Sequence, residues 1–236
     1  MKAHNIDKLL RENPYPGRGI VLGRSEDNAR AVMVYFIMGR SVNSRNRIFE
    51  KTSDGIRTKA YDQTKLSDPS LIIYHPVRVF NGSTIITNGD QTDTVLDYLR
   101  RGDSFHNALR TRKYEPDAPN YTPRISGLVT PDGSYALSIL KSAGESSDCC
   151  VRNFFEYSLP VPGLGHFIST YKTDGDPLPS FEGEPVPVNI EVKGGLEKFI
   201  HSIWQALSEE NKVSLYACEI EISTGKTDEI ILNKNA

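Results

Sequence analysis

The chain has 236 residues, of which 38% are hydrophobic and 25% charged, with a net charge of -2 at pH 7. That length allows a sizeable core, in one large domain or two small ones, and the composition is that of an ordinary globular protein. The near balance of charge excludes a general attraction for nucleic acid or an anionic membrane, so an anion would have to be held at a local site.

Residues 1–14 carry charges throughout and no apolar run long enough for a signal peptide, and nothing later approaches a membrane span. A cytoplasmic protein is therefore expected. The apolar segments that follow come in pairs. Residues 19–23 and 30–37 read as strands joined by the polar link "RSEDNA", which has hairpin length. Residues 71–80 and 84–87 flank "NGS", where Asn81-Gly82 is a strong hairpin signal. "DTVLDYLRRG" predicts a helix capped by Thr92 or Asp93 and closed by Arg100 and Arg101 before Gly102, the charge order a helix dipole favours. "DSFHNALR" follows at once as a second capped helix.

Residues 124–130 and 134–141 form a further expected hairpin around "PDG", and residues 151–158 and 166–171 another around "LPVPGLG". The prolines of "DGDPLPSFEGEPVPV" make it a stiff, structured loop. "LEKFIHSIWQAL" sets Leu196, Phe199, Ile200, Ile203, Trp204 and Leu207 at spacings of three and four, an amphipathic helix. A last strand pair, 213–222 and 229–232, surrounds "STGKTD". Strands that pair with their sequence neighbours build antiparallel sheets. Many hairpins with few helices predict an α+β fold, two stacked sheets covered by helices.

Three polar clusters are candidates for chemistry. "GRSVNSRNR" puts Arg40, Arg45 and Arg47, with Asn43 and Asn46, directly after the apolar run "AVMVYFI". It reads either as a solvated turn or as an anion clamp, since guanidinium forks match phosphate or carboxylate oxygens with two bonds each. "TNGDQTD", residues 87–93, lies where a strand ends and a helix begins. It is either a capped helix with a tight turn or an anion site made of first-turn amides, with Gly89 permitting close approach. "YEPDAPNYTPR" gathers Tyr114, Glu115, Asp117, Tyr121 and Arg124, as an ordinary polar loop or as the seat of a general base. The five histidines show no metal-binding spacing, the three cysteines no C-x-x-C, and no Walker A, G-x-G-x-x-G or G-x-S-x-G motif is present. No metal is expected.

Three segments taken together resemble the archaeal-type IMP cyclohydrolase family: "GRGIVLG", "YFIMGRSVNSRNR" and "IIYHPVRV…IITNGDQTD…YEPDAPNYTPRISGLV". The matching positions are Arg40-Ser41, Asn46-Arg47, Thr87-Asn88-Gly89, Thr92-Asp93, Tyr114-Glu115 and Thr122-Pro123-Arg124-Ile125, over roughly residues 15 to 140, with two additional residues between Arg40-Ser41 and Asn46-Arg47. The resemblance implies an Ntn-hydrolase-like fold, a four-layered αββα sandwich of two antiparallel sheets, formed by residues 1–236 as a single domain without an N-terminal nucleophile. It implies closure of 5-formamidoimidazole-4-carboxamide ribonucleotide (FAICAR) to IMP with loss of water, needing neither metal nor organic cofactor. Arg40 and Arg47 would hold the 5′-phosphate, with the Asn88 and Gly89 amides as the alternative. Glu115 would move the proton, and Arg124 or Tyr74 would support a developing oxyanion. Ser41, Asn46, Thr92, Asp93, Tyr114 and Thr122 complete the expected substrate-binding set. The expected partner is a purine ribonucleotide monophosphate, and the resemblance with the long loops is compatible with a homo-oligomer. An Ntn-fold amidohydrolase acting on a small amide and a non-catalytic purine-nucleotide-binding protein are the rival readings.

Overall fold

The computed structural model describes residues 2–66, 69, 73–144 and 148–235. The run that opens the fold explains its layering. Strands β1 (Arg18–Arg24) and β2 (Arg30–Met38) are buried almost throughout and pair antiparallel across the "RSEDNA" turn. Their side chains alternate between two apolar clusters. Val21, Val32, Val34, Phe36 and Met38 face helices α1 (Ile6–Glu12) and α5 (Leu196–Ala206). Ile20, Leu22, Ala31, Met33, Tyr35 and Ile37 face a second sheet. A strand covered on both faces reads as a continuous apolar run, which is how "AVMVYFIM" reads.

The first sheet takes β10 (Leu164–Ser169), β11 (Val186–Asn189), β12 (Lys212–Glu221) and β13 (Thr227–Asn233) alongside these two, in the order β11-β10-β1-β2-β12-β13. The second runs in chain order through β3 (Arg47–Thr52), β4 (Gly55–Ala60), β5 (Val77–Phe80), β6 (Ser83–Thr87), β7 (Arg124–Val129), β8 (Tyr135–Ser142) and β9 (Cys150–Tyr157). On its outer face α3 (Gln91–Arg100) and α4 (Phe105–Arg110) pack Val95, Leu96, Phe105, Ala108 and Leu109 against Ile85 and Leu140. The layers are therefore helix, sheet, sheet, helix, with all strand pairs antiparallel: an α+β sandwich with the αββα order that the resemblance implies.

Three local expectations are corrected by the structure, and one turn is found as expected. Thr92 and Asp93 lie inside the first turn of α3, whose N-cap position is Asp90. The 71–80 strand is ordered as a strand only over Val77–Phe80, because Pro76 just before it has no N–H for a ladder; Leu71 and Ile72 lie outside the described residues. The Asn81-Gly82 turn takes φ of 49° and 74°, the left-handed pair of a type I′ hairpin. Strands β9 and β10 do not pair with each other. The prolines of "LPVPGLG" interrupt the ladder, and the chain crosses from the second sheet to the first, where β10 pairs with β1. The sequence reading left out α1, β11, the β3–β4 hairpin and a one-turn helix α2 (Val42–Arg45). Arg40, Arg45 and Arg47 sit at the opposite crossover, where the chain leaves β2 for β3.

Candidate active site between the two sheets

One end of the sandwich gathers the start of β1, the end of β2, the start of β3, the segment entering β7 and the residues just after β10. A cavity of about 330 Å³ opens there, lined among the described residues by Tyr15, Arg18, Arg40, Ser41, Glu115, Thr122 and Tyr171 together with Asn43, Ser44, Asp117, Asn120 and Leu178. That volume lies in the range of ~300–1,000 Å³ typical of small-ligand sites.

Two buried arginines set the electrostatics at this end: Arg18 lines the cavity, while Arg47 does not line it but couples through its charge to Arg18 and Glu115. Arg47 begins β3 and shares the inward face with Phe49; it is 0% exposed, the bulkiest fully buried side chain of the protein. Its Nε donates to Ser44 O at 2.8 Å, but Nη1 and Nη2 are buried with no hydrogen-bond partner among the described residues. Burial, and then the charge of Arg18, pull the Arg47 pKa down from its ordinary value. Arg18 is also buried; burial again opposes its charge, but Glu115, with Tyr171, Tyr15 and Tyr74, holds its pKa above the ordinary one. Buried guanidinium nitrogens without acceptors carry the full desolvation cost of a polar group, which an incoming anion relieves.

Glu115 is the acid of the site. Its backbone N–H is tied to Thr122 O at 2.9 Å, so the loop between them folds back on itself before β7. The carboxyl is 2% exposed and its Oε1 has no partner among the described residues. Burial raises its pKa, against the lowering effect of Arg18, Arg124 and Arg47. Thr122 Oγ1 lies 2.6 Å from Tyr171 OH and donates to Asp117 Oδ2 at 2.5 Å. Behind the cavity, Tyr74 OH and Tyr35 OH are 2.9 Å apart, both rings buried. Burial pushes the Tyr35 hydroxyl up in pKa, and that of Tyr171 up to about 12, so both remain protonated hydrogen-bond donors.

The expected residues divide into those brought to this cavity and those committed elsewhere. Arg40 stands at the rim, its guanidinium 5.3 Å over the Tyr15 ring and bonded to Asp174 Oδ1 (2.8 Å) and Gly175 O (2.9 Å). Ser41 also lines the cavity while capping α2 through Ser44 N. Arg124 lies on the α3 side of β7, where Nη1 meets Gln91 Oε1 at 2.6 Å and Asp90 Oδ1 at 2.7 Å. Gly89 permits this: a Cβ there would stand 2.4 Å from Arg124 Nη1. Asn46 brackets Asp62, donating to its carbonyl and accepting from its N–H. Asn88 holds Pro123 O and accepts from Ile125 N and Gln91 Nε2. Thr92 bonds Thr87 and Gly89, and Asp93 pairs with Arg78 on the surface. Tyr114 packs edge-on against Tyr121, with centroids 5.5 Å apart.

Arg18, Tyr15, Tyr35 and Tyr171 were not singled out from sequence. The one local signal was an arginine between two glycines in "GRGIVLG", a charge opening a strand that is otherwise buried.

A family described as IMP cyclohydrolase-like protein matches residues 15–225, and so nearly the whole chain. The chain belongs to this family. Among curated relatives named IMP cyclohydrolase, that of Halobacterium salinarum is 29% identical over 132 residues, 54% of this chain and 63% of the relative. The chain thus matches less than two thirds of that relative's length. The Methanosphaera stadtmanae relative is 26% identical over 162 residues, 67% of this chain and 74% of the relative. The Methanopyrus kandleri relative is 27% identical over 190 residues, 71% of this chain and 89% of the relative. Among the described residues, no helix is long and apolar enough to cross a membrane.

Proposed function

We propose that this chain is an IMP cyclohydrolase, closing FAICAR to IMP with loss of water in purine biosynthesis, and that residues 1–236 act as one cytoplasmic domain. The observation that carries the reading is the pair of buried arginines coupled by charge to a buried Glu115, with two nitrogens of Arg47 and Oε1 of Glu115 lacking a hydrogen-bond partner among the described residues. The names of the relatives supply the reaction.

The chemistry asks little beyond positioning. The carboxamide nitrogen attacks the formyl carbon of the same molecule, so holding the two groups in contact lowers much of the barrier. The carboxamide nitrogen gives up one of its two protons and the formamido nitrogen its only one; both leave with the former formyl oxygen as water, and the formamido nitrogen's electron pair forms the new C=N bond. Arg47 and Arg18 hold the 5′-phosphate, and Arg40 closes the rim above it. Glu115 takes a proton from the carboxamide nitrogen as a carboxylate and returns one to the departing hydroxyl as an acid. Its raised pKa brings the two forms closer in energy near neutral pH. The Tyr74–Tyr35 pair supplies a donor for the developing oxyanion. Arg124 and Gln91 hold the strand entry that carries Glu115.

The test is a spectrophotometric assay with the formamido ribonucleotide, following IMP formation. Turnover that disappears in a folded Glu115→Gln variant supports the proposal. IMP binding without turnover by the wild type would instead favour a nucleotide-binding protein, and neither binding nor turnover would overturn the site assignment.

A further inference from the structure

The four sheet edges are not treated alike. The β11 edge is covered by His4, whose backbone bonds on both sides of Val188: His4 N donates to Pro187 O and Asn189 N to His4 O. The β3 and β13 edges lie on one flank and are sewn together by Asn233, which bonds both Phe49 N and Phe49 O, and by the Lys51–Glu229 ion pair. The fourth edge, β9, has eight residues, two adjacent phenylalanines and no proline, and nothing among the described residues pairs with it on its outer side. No β9 residue is fully buried, and Leu159, just beyond its end, is 90% exposed. A long apolar edge of this kind is a template for another strand.

The ladder to β8 shows which backbone groups are on offer. Ala143 N donates to Cys149 O, in register with the β8–β9 pairs Lys141↔Val151 and Ile139↔Asn153. Bonded pairs alternate in an antiparallel ladder, so Val151, Asn153, Phe155 and Tyr157 are bonded to β8, while Arg152, Phe154 and Glu156 turn their N–H and C=O outward. These three positions are self-complementary. An antiparallel two-fold centred on Phe154 sets Arg152 opposite Glu156 of the second strand, and Glu156 opposite its Arg152. The outward backbone groups of all three then form bonded pairs in that same register. Arg152 bonds only backbone carbonyls, Nη2 to Arg112 O at 2.8 Å and Nη1 to Cys150 O at 3.4 Å, so no carboxylate pairs with it among the described residues; the Glu156 side chain is 69% exposed with His106 Nε2 at 3.6 Å.

We propose that β9 pairs with β9 of a second copy of this chain, joining the two seven-stranded sheets into one continuous sheet across the two-fold axis. Opposite charges across a strand pair favour this register, and like charges directly opposite oppose it. The proposal does not depend on the catalytic reading, since β9 contributes nothing to the cavity.

Sedimentation equilibrium on the full chain tests it. Wild type is expected as an assembly of even copy number. Arg152→Glu alone places two acids opposite each other, and Glu156→Arg alone two bases. Each is expected to halve the mass of the particle, with association weakened at least about tenfold. A 1:1 mixture of the two variants restores both opposite-charge pairs and is expected to recover the wild-type mass. A single-chain wild type, variants that leave the mass unchanged, or a mixture of folded variants that fails to recover it would each overturn the proposal. As a check that no folding defect can imitate, Phe154→Cys in a Cys149→Ser, Cys150→Ser background is expected to give a disulfide-linked pair on oxidation; its absence would also overturn the proposal.

Discussion

Three arginines from one nine-residue stretch meet three different fates. Arg45 is engaged on the surface: Nε donates to Gly39 O, and Nη2 to Glu210 and Asn211. Arg40 is engaged at the cavity rim by Asp174 and Gly175, with its side chain 38% exposed. Arg47, two residues after Arg45, is buried with both terminal nitrogens unpartnered among the described residues. The difference lies in where the crossover from β2 to β3 points each side chain. Of the three, only Arg47, the first residue of β3, is turned between the sheets. A satisfied guanidinium holds the fold together, whereas an unsatisfied buried one costs the fold stability and marks a place for a ligand.

Substitutions can break this contrast, and the largest effect falls on Arg47. Arg47→Met removes two charge-assisted bonds of about 1.5–3 kcal/mol each, so kcat/KM is expected to fall about 10²–10⁴-fold. Because the methionine leaves no unpaired buried charge, the melting temperature is expected to stay level or rise. Calorimetry beside kinetics checks both, and a folded variant with near-normal kcat/KM would remove Arg47 from the site.

Glu115→Gln is expected to lower kcat by about 10²–10⁴-fold, the usual range for a lost general acid–base. Its stability effect has a definite sign. The folded pKa of Glu115 is raised, so its contribution to stability is complete below the ordinary carboxylate pKa and is lost as pH rises through the folded value. The Gln variant does not titrate there. It is expected to be at least as stable as wild type at pH 7, with the advantage shrinking on acidification. Thermal melts from pH 4 to 8 would show it.

Arg40→Ala is expected to raise KM only a few fold with kcat unchanged, since an exposed pair at a rim contributes about 0–1 kcal/mol. Smallest is Arg45→Ala, for which unchanged kinetics and a stability loss of about 1 kcal/mol or less are expected. A kinetic defect there as large as that of Arg47→Met would erase the contrast.

The sequence showed the parts of the fold whose signal is local. Asn81-Gly82 dictated its turn through backbone preference, the apolar spacing of α5 through its period, and the β1–β2 hairpin through a continuous buried run. Long-range choices were not local. Whether β9 turns back on itself or crosses to the other sheet depends on the free edge of β1, which no short window contains. The β3–β4 hairpin, with only Phe49, Ile56 and Ala60 as buried apolar residues, lacks the density that marks a strand. In the candidate site, motif order pointed to Arg47 and Glu115, which the fold brings into one charged cluster. It could not separate them from Asn46, Asn88 and Thr92, because residue type says nothing about which polar atoms the protein itself consumes. Arg18, Tyr35 and Tyr171 escape a sequence reading since each sits in an apolar or loop context, and only the stacking of the two sheets brings the two tyrosines close to Arg18.

The most direct measurement compares, by titration calorimetry, the binding of IMP and of its nucleoside lacking the 5′-phosphate to wild type and to Arg47→Met. Wild type is expected to prefer the nucleotide by about 10²-fold or more, and the variant to bind both alike. A variant that folds and keeps the full preference for the phosphate would contradict the account, because the buried guanidinium would then be holding something else.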